Sequence, residues 1–360
     1  MSAATDAAQS VRGERERLAQ GLRYPFEDRI PDHGEAIEVA DGILWMRLPL
    51  PMTLDHVNIY ALDDGASWTI IDTGFSTSKT RQIWEQLLAG PLAGKPVGRV
   101  IGTHHHPDHI GLAGWFQDRG AAFWTTRTAY FYCRALQLDH HDTVSETNIT
   151  HMRRSGASEE VIEAAIARGP WNFSQVTEPL RPGFKRLKED DIIEMGGRRW
   201  LVIMGDGHAP EHATFWCEDE DIVITGDQIL PRISPNLGVY PTEPDADPVG
   251  EWLVSCEKLQ PHANETHLAL PGHNRPFTGV PKRLEQLIEN HHGALKRLRK
   301  VLTSPKTAVD CFDAIYKRPI KSGEFGLAMA EAVAHLNHMY AEGEATRRLD
   351  ADGAYRFQLR

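Results

Sequence analysis

The chain has 360 residues, 41% hydrophobic and 25% charged, which is ordinary for a globular protein and long enough for one large domain with a smaller appendage. Its 39 Lys and Arg against 50 Asp and Glu give a formal charge of −11, which weighs against a broad nucleic-acid footprint. No apolar run is long enough to cross a bilayer, the opening residues carry acids and lack a leader's apolar stretch, and Cys133, Cys217, Cys256 and Cys311 form no CxxC pair, so the expectation is a cytoplasmic protein with buried, reduced thiols.

Residues 1–35 are polar and charged and read as an N-terminal extension with a short helix near Glu14 to Leu22. From Ala36 short apolar runs, broken by Asp-Gly and Asp-Asp-Gly, predict antiparallel strands: AIEVADGILWMRLPL, HVNIYALDD and SWTIIDTG. Ser78 to Leu92 carries a helical stripe in Ile83, Leu87 and Leu88. VGRVIGTHHHPDHIGLAGWF then reads as strand, loop and helix, and AAFWTT as a further strand. Residues 128–180 are predicted to be a helical insertion; Ser158 with Glu159 and Glu160 starts a helix that Gly169-Pro170 stops. Strands resume at DIIEMGGRRWLVIMGDG, HATFWCEDEDIVITGDQIL and THLALPGH. From about Pro281 three helical segments lead to a hairpin turning at Asp352-Gly353, the element order of a winged-helix module. The fold class is α+β, with the main domain over 36–280 and a helical, winged-helix-like domain over 281–360.

The chemistry concentrates in THHHPDHIG, where His104, His106, Asp108 and His109 crowd one loop after a strand. His104 and His106 share parity, so both rings project from the same side of an extended segment and suit one metal ion. Asp108 and His109 then turn toward a neighbouring ion. Four such side chains within six positions are hard to explain as scattered polar residues. GDGHAPEH adds His208, with His212 four residues on; Asp227 ends the apolar strand IVITGD, and His273 ends LALPGH. Each follows a strand, where a rigid sheet can aim a loop residue.

HxHxDH followed by separate His, Asp and His, over roughly residues 37–280, resembles the metallo-β-lactamase superfamily. The resemblance implies an αββα sandwich and two divalent metal ions, with Zn expected and Fe or Mn as alternatives. His104, His106 and His208 would bind one ion, Asp108, His109 and His273 the second, and Asp227 would bridge them. Asp108 and Asp227 are the catalytic candidates, orienting a metal-bound hydroxide for attack on an acyl carbon. Asp at 227 is the residue of glyoxalase II and the RNase Z group, whereas the best-known zinc β-lactamases have Cys there. The tail resembles the β-lactamase-like subfamily with a C-terminal winged-helix domain.

The expected activity is thioester hydrolysis on a small anionic substrate of the glutathione or coenzyme A kind. The alternatives are an endoribonuclease or phosphodiesterase of the same fold, and a lactone or β-lactam hydrolase. Asp72, in IDTG, is a candidate to accept from a ligand imidazole, and His212 to support the site by a hydrogen bond. His105 alternates away from the ligands. His56, His140, His141, His151, His291 and His292 lack partner spacing and read as surface or lid residues. Arg232 and Tyr240 are weak candidates for substrate contact; Trp171 and Phe173 lean toward packing. Lys296, Arg297, Arg299 and Lys300 are the best sign of an anionic ligand, against the plainer reading of a solvated helix face. Nucleic acid is not favoured, no membrane is implied, and the apolar tail helices are a candidate dimer interface.

Overall fold

The computed structural model describes residues 21–26, 29–52, 54–316 and 318–360; the helix expected near Glu14 lies outside them. The first sheet takes its strands in chain order: β1 (Ile37–Ala40), β2 (Ile43–Pro49), β3 (His56–Asp63), β4 (Trp68–Ile71), β5 (Val97–Ile101), β6 (Ala122–Thr125) and β7 (Lys185–Arg186). Tight turns keep β1 to β4 antiparallel, with Gly42 at φ 66° closing the first. The pairs from β4 to β7 are parallel and need crossovers. The β4–β5 crossover is helix α1 (Ser78–Ala89), capped by the Thr77 hydroxyl accepting from Thr80 N, with Ile83, Trp84 and Leu87 buried.

Short helices α2 (Pro107–Ile110) and α3 (Ala113–Gln117) follow β5, and α4 (Arg127–Leu138), α5 (Glu146–Arg154) and α6 (Glu159–Arg168) form the insertion. Ser158 caps α6 and Gly169 ends it at φ 86°, as the sequence predicts. Helix α5 goes beyond the prediction; it buries no residue fully and so leaves no apolar stripe to read. The second sheet comprises β8 (Ile192–Met195), β9 (Arg198–Gly205), β10 (His212–Cys217), β11 (Ile222–Gly226) and β12 (Leu268–Pro271), with only β11–β12 parallel among its pairs. Helix α7 (Pro248–Leu259) makes that crossover, and the sequence reading missed it. Its signals were present: Asp247 caps it, Pro248 opens it, and Val249, Trp252, Cys256 and Leu259 line its buried face.

Three clusters of buried side chains order the layers. Between the sheets, Trp45, Tyr60, Leu62 and Ile101 meet Trp200, Val202, Phe215 and Leu270. Outside the first sheet, Val57, Ile59 and Ile70 pack with Trp84 and Phe116. Strand β3 thus contributes to both clusters, which is why HVNIYAL reads as a nearly unbroken apolar run. Outside the second sheet, Trp216, Val223 and Ala269 pack on α7 and on the C-terminal elements.

Those elements are α8 (Val280–Val301), α9 (Phe312–Tyr316), α10 (Phe325–Ala341) and the antiparallel hairpin β13 (Ala345–Leu349) and β14 (Tyr355–Leu359). Three helices and a hairpin appear in the predicted order. Leu284, Leu295, Leu298, Leu336, Met339 and Phe357 join one core with the second sheet. The layers are therefore helix, sheet, sheet, helix. Among the described residues no helix is long and apolar enough to cross a membrane.

Candidate metal centre

The ligand-type residues all leave the C-terminal ends of strands at one edge of the sandwich. His104, His106, Asp108 and His109 follow β5, His208 follows β9, Asp227 follows β11 and His273 follows β12. Strand parity sets their approach and hydrogen bonds fix each ring. His104 Nδ1 lies 3.0 Å from Thr103 Oγ1. His208 Nδ1 donates to the Asn236 carbonyl at 2.9 Å, and His273 Nδ1 to the His56 carbonyl at 2.7 Å. His109 Nδ1 donates to Asp72 Oδ2 at 2.7 Å. The opposite ring nitrogens of these four point toward the centre, as carboxylate and carbonyl partners arrange in metal sites.

Two groups result. His104 Nε2, His106 Nδ1 and His208 Nε2 meet at 2.9 and 3.1 Å. Asp108, His109 and His273 form the other, and Asp227 lies between: its Oδ2 is 3.2 Å from His273 Nε2 and 3.5 Å from His208 Nε2, and its Oδ1 is 3.5 Å from His109 Nε2. His106 Nδ1 stands within hydrogen-bond distance of two other ring nitrogens but can carry one proton at most. His109 Nε2 and Asp227 Oδ1 are buried with no hydrogen-bond partner. Unpartnered ring nitrogens and carboxylate oxygens converging on one place are what divalent cations satisfy, so the residues fit a two-ion site.

Electrostatics agree. Burial depresses His104 and His106 well below the usual imidazole range, reinforced by their neighbouring rings, so both are neutral. Burial opposes protonation of His109 and His273, but Asp227 and Asp108 overcome it, holding His109 well above its ordinary value and His273 up at about 10. Burial would likewise raise Asp227, yet His273 and His109 hold it well below the carboxylate range.

Asp72 is the partner the sequence suggested. It sits at φ 63°, accepts from His109, and receives Thr103 N at 2.8 Å and Thr103 Oγ1 at 3.0 Å. His212 accepts from the backbone N of Asp227 at 3.0 Å and stacks on His104 at 4.5 Å. His105 joins no ligand group; its ring packs on Tyr132 of α4 at 4.5 Å. Tyr132 also reaches Thr242 at 3.1 Å, so the insertion, the histidine loop and the segment after Asp227 meet beside the site. Arg232 and Tyr240 lie exposed on that segment. Trp171 is exposed, whereas Phe173 is packed in the outer core of the first sheet.

Three expectations need correction. His56 is buried, not a surface or lid residue: its carbonyl holds His273, and its Nε2 accepts from Asn274 N at 2.9 Å. His291 is also buried, against His335 of α10, because the face of α8 that carries it turns inward. The basic stretch is half spent within the fold: Arg297 donates to the Ala314 and Ile315 carbonyls, and Arg299 pairs with Glu344 at 2.6 Å. The sequence reading also missed Asn58, whose amide donates to the Pro271 and Asn274 carbonyls at 2.8 Å and so clamps the turn carrying His273. One polar residue inside the apolar run of β3 was the signal.

A sandwich with helices outside both sheets and a His/Asp cluster on one edge defines a metallo-hydrolase fold and site. Residues 52–129 and 138–273 match the model of the Metallo-beta-lactamase superfamily, and residues 295–360 that of the Metallo-beta-lactamase-like, C-terminal domain. The chain belongs to the metallo-beta-lactamase superfamily and stands among its metallo-hydrolases. It is 26% identical over 329 residues to the probable metallo-hydrolase YqjP of Bacillus subtilis, covering 88% of this chain and 98% of that protein. It is 23% identical over 277 residues to the acyl-coenzyme A thioesterase MBLAC2 of Gallus gallus, covering 74% of this chain and 88% of that protein. A beta-lactamase domain protein from Burkholderia ambifaria superposes with a TM-score of 0.87 at 34% identity, over 94% of this chain and 98% of that one.

Proposed function

We propose that the protein is a dinuclear metal-dependent thioester hydrolase. The observation that carries the reading is the convergence of two ligand groups on Asp227, whose Oδ1 is buried without a partner. His104, His106 and His208 would hold one ion, Asp108, His109 and His273 the other, with Asp227 between them. Ions held there supply an ionised water at neutral pH and polarise the substrate carbonyl. The chain's own groups do the rest: Asp72, the His56 carbonyl and the Asn236 carbonyl fix the rings, and Asp108 and Asp227 stay ionised to orient the attacking water. In the overall reaction water adds to the acyl carbon, the carbon–sulfur bond breaks, and the thiol leaves with a proton.

A cysteine nucleophile has no place in this scheme. All four cysteines are buried, and burial raises the Cys133 and Cys217 thiols and pushes Cys256 and Cys311 up to about 12. Support for a thioester comes from the likeness to an acyl-coenzyme A thioesterase and from Asp, rather than Cys, at 227. With Arg297 and Arg299 held within the fold, the basic stretch on α8 is a weaker sign of any anionic ligand, coenzyme A and RNA alike. Zn is the metal favoured by five imidazoles with two carboxylates.

The test is thiol release from a panel of acyl-coenzyme A and acyl-glutathione thioesters by metal-loaded protein. Release is expected, and Asp227→Ala is expected to lose it together with bound metal. Release that survives in Asp227→Ala, or none from any thioester, would overturn the reading.

A further inference from the structure

Among the described residues, one more group of ligand-type side chains comes together outside the centre described above, between α8 and α10. His291 and His335 are both almost fully buried, and His291 Nδ1 stands 3.2 Å from His335 Nε2. Ligand atoms of His291, Glu331 and His335 lie within 4.8 Å of one another. Glu331 and His335 are four apart on α10 and so share a face, while His291 comes from α8.

The ring-to-ring spacing matches that at the first centre, where neighbouring ring nitrogens meet at 2.9 and 3.1 Å. It is also near the edge of a tetrahedron whose arms are about 2.0–2.1 Å, about 3.3 Å. The outer ring nitrogens are already placed as ligating histidines place them: His335 Nδ1 donates to the Glu331 carbonyl at 2.9 Å, and His291 Nε2 lies 3.1 Å from Ser234 Oγ. Both rings are neutral, pushed down by burial to about 3 for His291 and about 4 for His335, so each offers a lone pair. Glu331 is pushed up to about 7 by burial, and the side chains that hold it, Asn236 at 3.1 Å and Tyr316 at 3.4 Å, are neutral. Among the described residues the hydrogen-bond partners of this half-buried carboxylate are neutral, and a divalent ion would supply the missing positive charge.

We propose that His291, His335 and Glu331 form a separate metal-binding site, a closed structural one that takes a zinc-class divalent cation and ties α8 to α10. It rests on these side chains alone and is independent of the thioester reading. The site sits where a cross-link matters. Asn236, which holds Glu331, also accepts from the ligand His208, so an ion here would steady one wall of the first centre.

Metal content and anomalous diffraction at the zinc edge test it on the full chain purified in zinc. The expected result is an anomalous peak about 2.0–2.1 Å from His291 Nδ1 and His335 Nε2, in addition to those at the first centre. His335→Gln is expected to lower the metal content by one ion per chain while peaks at the first centre persist. His104→Ala is expected to keep the ion at His291. A wild-type map with no peak between His291 and His335 would overturn the proposal whether or not the variants fold, and would leave the pair as a hydrogen-bonded relay from Ser234 to the Glu331 carbonyl.

Discussion

A histidine becomes a good ligand when its far nitrogen is tied to an oxygen, and Asp72 shows what that tie costs. Its backbone is left-handed at φ 63°, a conformation Asn tolerates about as well as Asp, so Asp72→Asn removes the charge without straining the turn. The variant is expected to bind metal about 10–100-fold more weakly, read by chelator competition. Unchanged affinity would mean that Asp72 serves only the turn and its hydrogen bonds to Thr103. The neighbouring rings predict a pH dependence. His109 lies well above and His273 at about 10, both above an unfolded value near 6.5. In metal-free protein both contributions to stability are therefore complete below pH 6.5; that of His273 is lost as pH rises through about 10, and that of His109 as pH rises through its own raised value. At pH 8 the His273 ring is protonated, so an incoming cation must displace its proton. Calorimetry in buffers of differing ionisation enthalpy is expected to detect proton release at pH 8; a heat independent of buffer would contradict it.

At the scale of elements, the centre depends on strand ends that approach closely. Gly272 follows β12, and a Cβ there would sit 2.2 Å from Asp227 Oδ1 and 2.8 Å from His109 Cε1. Gly272→Ala is expected to displace Asp227 or His109 and to cut metal binding sharply while the sheets still form. Near-normal metal content with an unchanged circular dichroism spectrum would show that the turn can yield. The two parallel crossovers do complementary work. Helix α1 spans β4 to β5 and so brings Asp72 beside the histidine loop, while α7 spans β11 to β12 and brings Asp227 beside His273. The first crossover was legible because Ile83 and Leu87 repeat at helical spacing. The second lay in a stretch whose Trp252, Leu253 and Cys256 were not read as a stripe.

For the whole molecule, the core outside the second sheet is shared. Trp216, Val223 and Ala269 belong to the sheet, and Leu284, Leu298, Leu336 and Phe357 to the C-terminal elements. Removing residues 281–360 would expose that face, each large side chain forfeiting about 1.5–3 kcal/mol of burial. The truncated chain is expected to aggregate or melt without cooperativity, as followed by thermal denaturation and size exclusion. A soluble, cooperatively melting 1–280 chain would show that the second sheet can manage without its cover.

Every strand but the two-residue β7, the α1 helix and the identity of the seven candidate ligands were legible in the order of the amino acids. These follow from local periodicity, turn residues and the rarity of HxHxDH, all of which act over a few positions. Which partners fix the rings was settled by the fold. Asn58 and Pro271 are 213 residues apart, and His56 and His273 are 217. It alone turned His291 inward against His335, and spent Arg297 and Arg299 on contacts within the fold. The reason is physical: a side chain's residue type fixes what it can bond, but whether it meets solvent, a carbonyl or another ring depends on which distant element packs against it.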